Sequence, residues 1–240
     1  MSGHSKWNNI KRKKEKTDGA KAKVFTKMAR EILVAVKEGG SGDPSTNGRL
    51  RDAIAKAKSL NVPNDNIDRA IKRASEAKGD DYATILYEGY GPNGVAMIVE
   101  TMTDNRNRTA GNMRHHFDKY GGNLGASGCV AWSFDKKGVL VIDNSEEELD
   151  EETVMMDAMD AGADDFEADG DVFTIYTLPD DFNEVVANLS KYTFVSAQIE
   201  MVPQNYQKLE NEDQVKLMEK LIDIMEDDDD VQNIWHNWEE

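Results

Sequence analysis

The densest concentration of chemistry in the chain is cationic. Lys6, Lys11, Arg12, Lys13, Lys14, Lys16, Lys21, Lys23 and Lys27 place nine positive charges within 22 residues. Cations packed this closely, with few acids between them, suit a polyanion. Each phosphate they neutralise releases counterions, so the binding would be salt-sensitive. Trp7 lies within the run, and its indole can stack on a base or pack against the neighbouring helices. A solubilising tail is the competing account of the run, but such tails seldom carry Trp7 and Ile10 among the lysines.

A second cluster combines Arg106, Arg108 and Arg114 with His115 and His116. Consecutive histidines on a helix point about 100° apart, so they do not share a metal easily. No metal site is expected, and no cofactor. Arg108 falls near an expected helix start, where backbone N–H groups also favour anions. The cluster is therefore either a phosphate contact or a set of surface ion pairs with Glu100, Asp104 and Asp118. The run Gly89-Tyr90-Gly91-Pro92-Asn93-Gly94 matches G-x-G-x-x-G in letters only. Its glycines lie between two expected strands and open no helix, so no dinucleotide site follows. Gly121 to Gly128 is a glycine-rich loop that either approaches a ligand closely or makes a tight helix-to-strand connection. No nucleophile stands beside a base, so no enzyme and no small-molecule substrate are expected. The acidic runs Glu146–Glu152 and Asp227–Asp230 lack calcium-loop spacing. They are expected to be solvated faces that deter nonspecific contacts and help orient the basic region toward its partner.

The elements that must position these residues follow from periodicity. Phe25, Met28, Ile32 and Val36 form one apolar helical stripe. Gly39-Gly40 ends it. Leu50, Ile54, Ala57 and Leu60 mark a second helix. Pro63 precedes a third, with Asn64 as its cap and Ile67, Ile71 and Ala74 facing inward. Three short helices of this kind need to pack together as a bundle. Beyond Lys78, strands are expected at Tyr82–Gly89, Val95–Met102 and Cys129–Phe134, with a helix from Thr109 to Tyr120. Val139 to Val202 spells β-α-β-β-α-β, the split βαβ pattern. A helix from Glu212 to Met225, apolar at Leu217, Leu221, Ile224 and Met225, and a strand near Val231–Trp238 complete the chain. The expected fold is thus α+β and multidomain: a three-helix bundle plus two α/β domains, one a ferredoxin-like βαββαβ unit inserted into the other. The expected boundaries are 1–78 for the basic helical domain, 79–135 with 207–240 for the middle domain, and 136–206 for the insert.

The chain has 240 residues and a formal charge of −17. That charge is divided by position. Residues 1–78 carry 19 Lys/Arg against 9 Asp/Glu, a net of +10, and residues 79–240 carry 10 against 37, a net of −27. A basic first third on an acidic remainder points to a polyanion partner. One cysteine, Cys129, excludes an internal disulfide and a cysteine-based zinc site, and fits a reducing compartment. No stretch approaches the roughly 18 apolar residues of a membrane span. The N-terminus has no apolar core of a signal peptide, and Glu15 and Asp18 argue against a transit peptide. A cytoplasmic protein without a membrane partner is expected.

Several segments together resemble the YebC/PmpR family. They are Gly3-His4-Ser5-Lys6-Trp7, Ile10-Lys11, Lys23-Val24-Phe25-Thr26-Lys27, Val62-Pro63-Asn64, Tyr87 to Pro92, Thr103 to Thr109, Gly121 to Gly125 and Val231-Gln232-Asn233. The resemblance covers essentially the whole chain. It implies a helical bundle followed by two α/β domains, one inserted in the other. It also implies a cytoplasmic, non-enzymatic regulator of gene expression that binds nucleic acid. The family is commonly described as transcriptional regulators that bind DNA. Other members act in translation at the ribosome, easing synthesis through stretches such as consecutive prolines, and mitochondrial members activate translation of cytochrome oxidase. The partner is therefore duplex DNA or, in the alternative, ribosomal RNA. The residues expected to contact it are the nine cations above with Trp7, and Arg106, Arg108, Arg114 and His115.

Overall fold

The apolar stripes read from the sequence become the contact faces of three helices. The computed structural model describes residues 18–76 and 82–239. Helix α1 spans Asp18–Gly39, α2 Gly48–Ser59 and α3 Asn64–Glu76. Met28, Ile32, Ala35 and Val36 of α1 pack against Leu50, Ala53 and Ala57 of α2 and Ile67 and Ala74 of α3. Leu60 is not part of this core. It sits at the helix end and is exposed. The α1–α2 corner is fixed by Asn47, a buried amide that caps α2 by accepting from Leu50 N at 3.1 Å. Its Nδ2 donates to the carbonyls of Ala35 and Ser41, both at 2.8 Å, so no polar atom of this side chain is left without a partner. Asn64 is not the cap of α3 but its first residue, and the Pro63 carbonyl accepts from Asn66 and Ile67.

A four-stranded antiparallel sheet follows. Strands β1 (Ala83–Tyr90), β2 (Ala96–Thr103), β3 (Asn123–Leu124) and β9 (Val231–His236) lie in the order β3-β1-β2-β9. The Gly89 to Gly94 run makes the β1–β2 turn, with Asn93 and Gly94 at φ of 56° and 80°. Helices α4 (Arg106–Lys119) and α7 (Glu212–Asp227) pack on this sheet and bury Met113, Phe117, Met218, Leu221 and Met225. The apolar face expected for the C-terminal helix is therefore docked. Helix α4 begins three residues before the expected start, because Asn105 caps it by accepting from Arg108 N at 3.0 Å.

The expected strand at Cys129–Phe134 does not form. The N–H groups of Gly128, Val130 and Ala131 donate instead to the buried Glu88 carboxylate, at 2.7, 2.9 and 2.8 Å. A carboxylate that gathers three backbone donors leaves none of them for a sheet ladder. Burial raises the Glu88 pKa, but these three bonds outweigh it and hold the carboxyl below its ordinary value. The glycine-rich loop is a tight connection. Gly122 N donates to Phe117 O at 2.9 Å, and a Cβ on Gly122 would lie 2.3 Å from the Tyr90 carbonyl oxygen.

The second sheet holds β4 (Phe134–Asp143), β5 (Asp165–Asp169), β6 (Val172–Thr177) and β7 (Ser196–Pro203), ordered β5-β6-β4-β7 and antiparallel throughout. Helices α5 (Glu151–Asp160) and α6 (Phe182–Asn188) connect its strands. That order and connectivity are those of the split βαβ unit. Leu140, Ile142, Phe173 and Ile175 pack with Val154 and Ala158 of α5, Val185 of α6 and Leu189 just beyond it. Helix α5 is capped by Asp150, which accepts from Thr153 N at 3.0 Å. A short parallel pair, β8 (Gln207–Lys208) with β10 (Trp238–Glu239), was not foreseen. The described chain divides into two units. One holds the bundle, residues 82–131 and 209–236, and the other holds residues 132–208 and 237–239.

Candidate nucleic-acid interface

Lys6, Trp7, Lys11, Arg12, Lys13, Lys14 and Lys16 lie outside the described residues, as does the side chain of Lys21. Lys23 and Lys27 are on α1 and face the turn after α7. Lys23 Nζ pairs with Asp227 at 2.7 Å, and Lys27 Nζ donates to the Glu226 carbonyl at 2.9 Å. One turn on, Arg30 donates to the Asp229 carbonyl and to Asp230 Oδ1, the latter at 3.0 Å. The last carbonyls of a helix have no partner in their own helix and carry the negative end of its dipole. The three cations of α1 occupy that end of α7.

Helix α4 reaches the same turn from another direction. Arg108 Nη2 donates to Asp230 at 2.9 Å and to Asp104 at 2.8 Å. Thr109 Oγ1 donates to Asp230 at 2.8 Å. Asn112 and His116, one and two turns along, contact Asp228 at 3.3 and 3.2 Å. The Asp230 N–H donates to Asp228 at 2.9 Å. The side chains of Asp228 and Asp230 are only 10% and 4% exposed. Burial raises the Asp228 pKa, but the bonds from His116, Asp230 N–H and Asn112 bring it below the ordinary carboxylate value.

The expectation that Asp227–Asp230 is a solvated face is therefore corrected. Asp228 and Asp230 are internal anions matched to cations and donors of α1 and α4. The physical reason is valence: Arg30 and Arg108 bring guanidinium donors to a turn whose carboxylates accept in several directions. The turn also brings together the two cationic clusters that were separate in the sequence. Arg108 is bound in the manner of the ion-pair alternative, through Asp104 and Asp230. Arg106, Arg114 and His115 remain exposed on α4. His115 and His116 have ring centroids 6.1 Å apart and a 57° tilt. Among the described residues no group of three His, Cys, Asp or Glu could hold a metal ion. Among the described residues, too, no helix is long and apolar enough to cross a membrane.

Sequence reasoning passed over Arg30, Lys58, Arg69, Lys72 and Arg73. A signal was available for the last three. Their spacing of three and four residues sets them on one face of α3, and Arg73 lies in its last turn. For Arg30 the signal was its place one turn beyond Lys27 on the same helix. Cys129, half-buried beside Glu88, has its thiol pKa raised first by burial and then by that charge, so it is a poor nucleophile.

Residues 5–77 match the model of the TACO1/YebC protein N-terminal domain, and residues 82–238 match that of the TACO1/YebC second and third domain. A "Probable transcriptional regulatory protein" of Acetivibrio thermocellus is 55% identical over 241 residues, covering 99% of each chain. Another of that name from Caldicellulosiruptor bescii is 56% identical over 243 residues, covering 100% of this chain and 99% of its own. The crystal structure of a conserved hypothetical protein from Aquifex aeolicus superposes with a TM-score of 0.83 at 41% identity, covering 93% of this chain and 92% of that one. The chain belongs to the TACO1/YebC family.

Proposed function

We propose that the chain is a regulator of transcription that holds DNA on its basic helical bundle and carries out no catalytic step. The observation that carries this reading is the division of charge. The bundle region has a net of +10 while the rest of the chain has −27. A polyanion meets attraction on one part and repulsion on the other, which sets its orientation as well as its affinity. The relatives named as transcriptional regulatory proteins supply the biological class. The cations are spread over several helices rather than gathered on one recognition helix, which suits contacts to the phosphate backbone.

Ultraviolet crosslinking in cells, followed by nuclease digestion of the recovered material, tests this. DNase-sensitive material concentrated at a few upstream regions is the expected result. RNase-sensitive material mapping to ribosomal RNA would overturn the transcriptional reading in favour of action at the ribosome.

A further inference from the structure

The cations that α1 turns toward Asp227 and Asp230 are already engaged, so an incoming phosphate must displace a carboxylate to reach them. A different face of the bundle carries no such obstacle. Arg69, Lys72 and Arg73 of α3 are exposed and line a shallow depression of about 380 Å³ with Glu76. Beside it runs a groove of about 590 Å³ between α2 and α3. Ile54, Ile67 and Ile71 are its apolar lining, buried or half-buried, while Lys58 and Lys72 are exposed at its rim. Lys72 borders both hollows, so the two are adjacent.

The side chains of Lys58, Lys72 and Arg73 make no hydrogen bond or ion pair within the described residues, although Asp65, Asp68 and Glu76 stand on α3. Arg69 is oriented by its own helix: it donates to the Asp65 carbonyl at 3.1 Å and to Asn66 Oδ1. The two hollows together therefore combine an apolar lining with four cations, Lys58, Arg69, Lys72 and Arg73, against two acids, Asp68 and Glu76.

This combination selects among polyanions. A duplex hides its base faces within the stack, so an isoleucine-lined groove gains nothing from one. An unpaired strand presents apolar base faces and phosphates alternately along its length. We infer that the α2–α3 face is a binding site for an unpaired nucleic-acid strand. The groove of Ile54, Ile67 and Ile71 receives a base, and Lys58, Arg69, Lys72 and Arg73 receive the flanking phosphates. The inference rests on the nucleic-acid reading above and names the strand state that this face accepts.

The test uses the full chain and fluorescence anisotropy. The probes are labelled oligothymidylate DNA, oligouridylate RNA and a mixed-sequence duplex, each of about 12 nucleotides or base pairs, within the size range of single-strand sites. The variant is K58A/K72A/R73A, three exposed positions, with circular dichroism as the check on folding. The expected result is a tenfold or greater loss for the single strands, with the salt slope reduced by about 2 for three lost phosphate contacts. Duplex binding should change less than twofold. The DNA and RNA arms report which strand chemistry the face prefers, and loss on either supports the site. Unchanged single-strand binding by the folded variant would overturn the site while leaving the nucleic-acid reading intact. An equal loss on the duplex would overturn the groove assignment and leave only a backbone contact. No binding of any probe by the wild type would overturn the site and the function together.

Discussion

Replacing Asp230 by alanine should weaken the junction of α1, α4 and the turn after α7 by about 3 kcal/mol. The side chain is 4% exposed and accepts from Arg30 at 3.0 Å, Arg108 at 2.9 Å and Thr109 at 2.8 Å. Removing one partner of a buried ion pair costs about 3–5 kcal/mol, because the other charge stays desolvated. The lower end applies here for two reasons. Arg108 is 46% exposed and keeps Asp104, so solvent screens its share to under about 1 kcal/mol. Thr109 also keeps partners, Thr103 Oγ1 at 2.7 Å and the Asn105 carbonyl at 3.1 Å. Most of the loss then comes from Arg30, whose side chain is 20% exposed. Asp230→Asn keeps an acceptor of the same shape and should lose about half as much. Urea unfolding read by hydrogen exchange across Arg106–Lys119 measures the local change. A loss under about 1 kcal/mol for Asp230→Ala would refute the view that this turn holds the cations by buried charge.

Four further outcomes are expected. Glu88→Gln leaves one of three N–H donors facing an amide NH₂, and should cost about 2 kcal/mol at neutral pH. Because the Glu88 carboxyl is held below its ordinary value, its stabilisation is present above the unfolded value and lost as pH falls through the folded one. The gap between wild type and Glu88→Gln in thermal unfolding should therefore close on acidification, and a gap independent of pH would sink the clamp. Asp228→Asn should likewise flatten part of the acid limb of the stability profile, since the Asp228 pKa is also lowered on folding. Asp227→Asn weakens an exposed pair with Lys23, so stability should move by less than about 1 kcal/mol. The same change should raise nucleic-acid affinity severalfold at low salt, and an unchanged anisotropy titration would count against competition at α1. Gly122→Ala places a methyl against the Tyr90 carbonyl oxygen and should lower stability by about 1–3 kcal/mol in urea titration.

The bundle was legible because the core positions within each helix follow the 3.6-residue period, as Met28, Ile32 and Val36 do in α1 and Ile67 and Ala74 in α3. The βαββαβ unit was legible because its strand and helix patterns follow one another in that order, the first helix marked by its Asp150 cap. The Cys129–Phe134 segment misled because its residues fit a strand locally, while its backbone donors are claimed by a carboxylate some 40 positions away. Local pattern carries no record of such a claim. The acidic turn misled in a related way. A run of four aspartates reads as solvent-seeking until the arginines that neutralise it arrive from positions 30 and 108. The cations of α3 were visible in their spacing but were overshadowed by the denser run before them. What the sequence could not supply was the distinction between cations already paired and cations left open, which depends on which helices meet.

Nucleic acid is proposed to lie on the helical bundle. Peptide mapping of protein–nucleic-acid crosslinks formed in cells tests it most directly. Crosslinked peptides from α1, α2 and α3, with Lys58, Lys72 and Arg73 among the modified stretches, are the expected result. Crosslinks confined to the βαββαβ unit between Phe134 and Pro203 would contradict it.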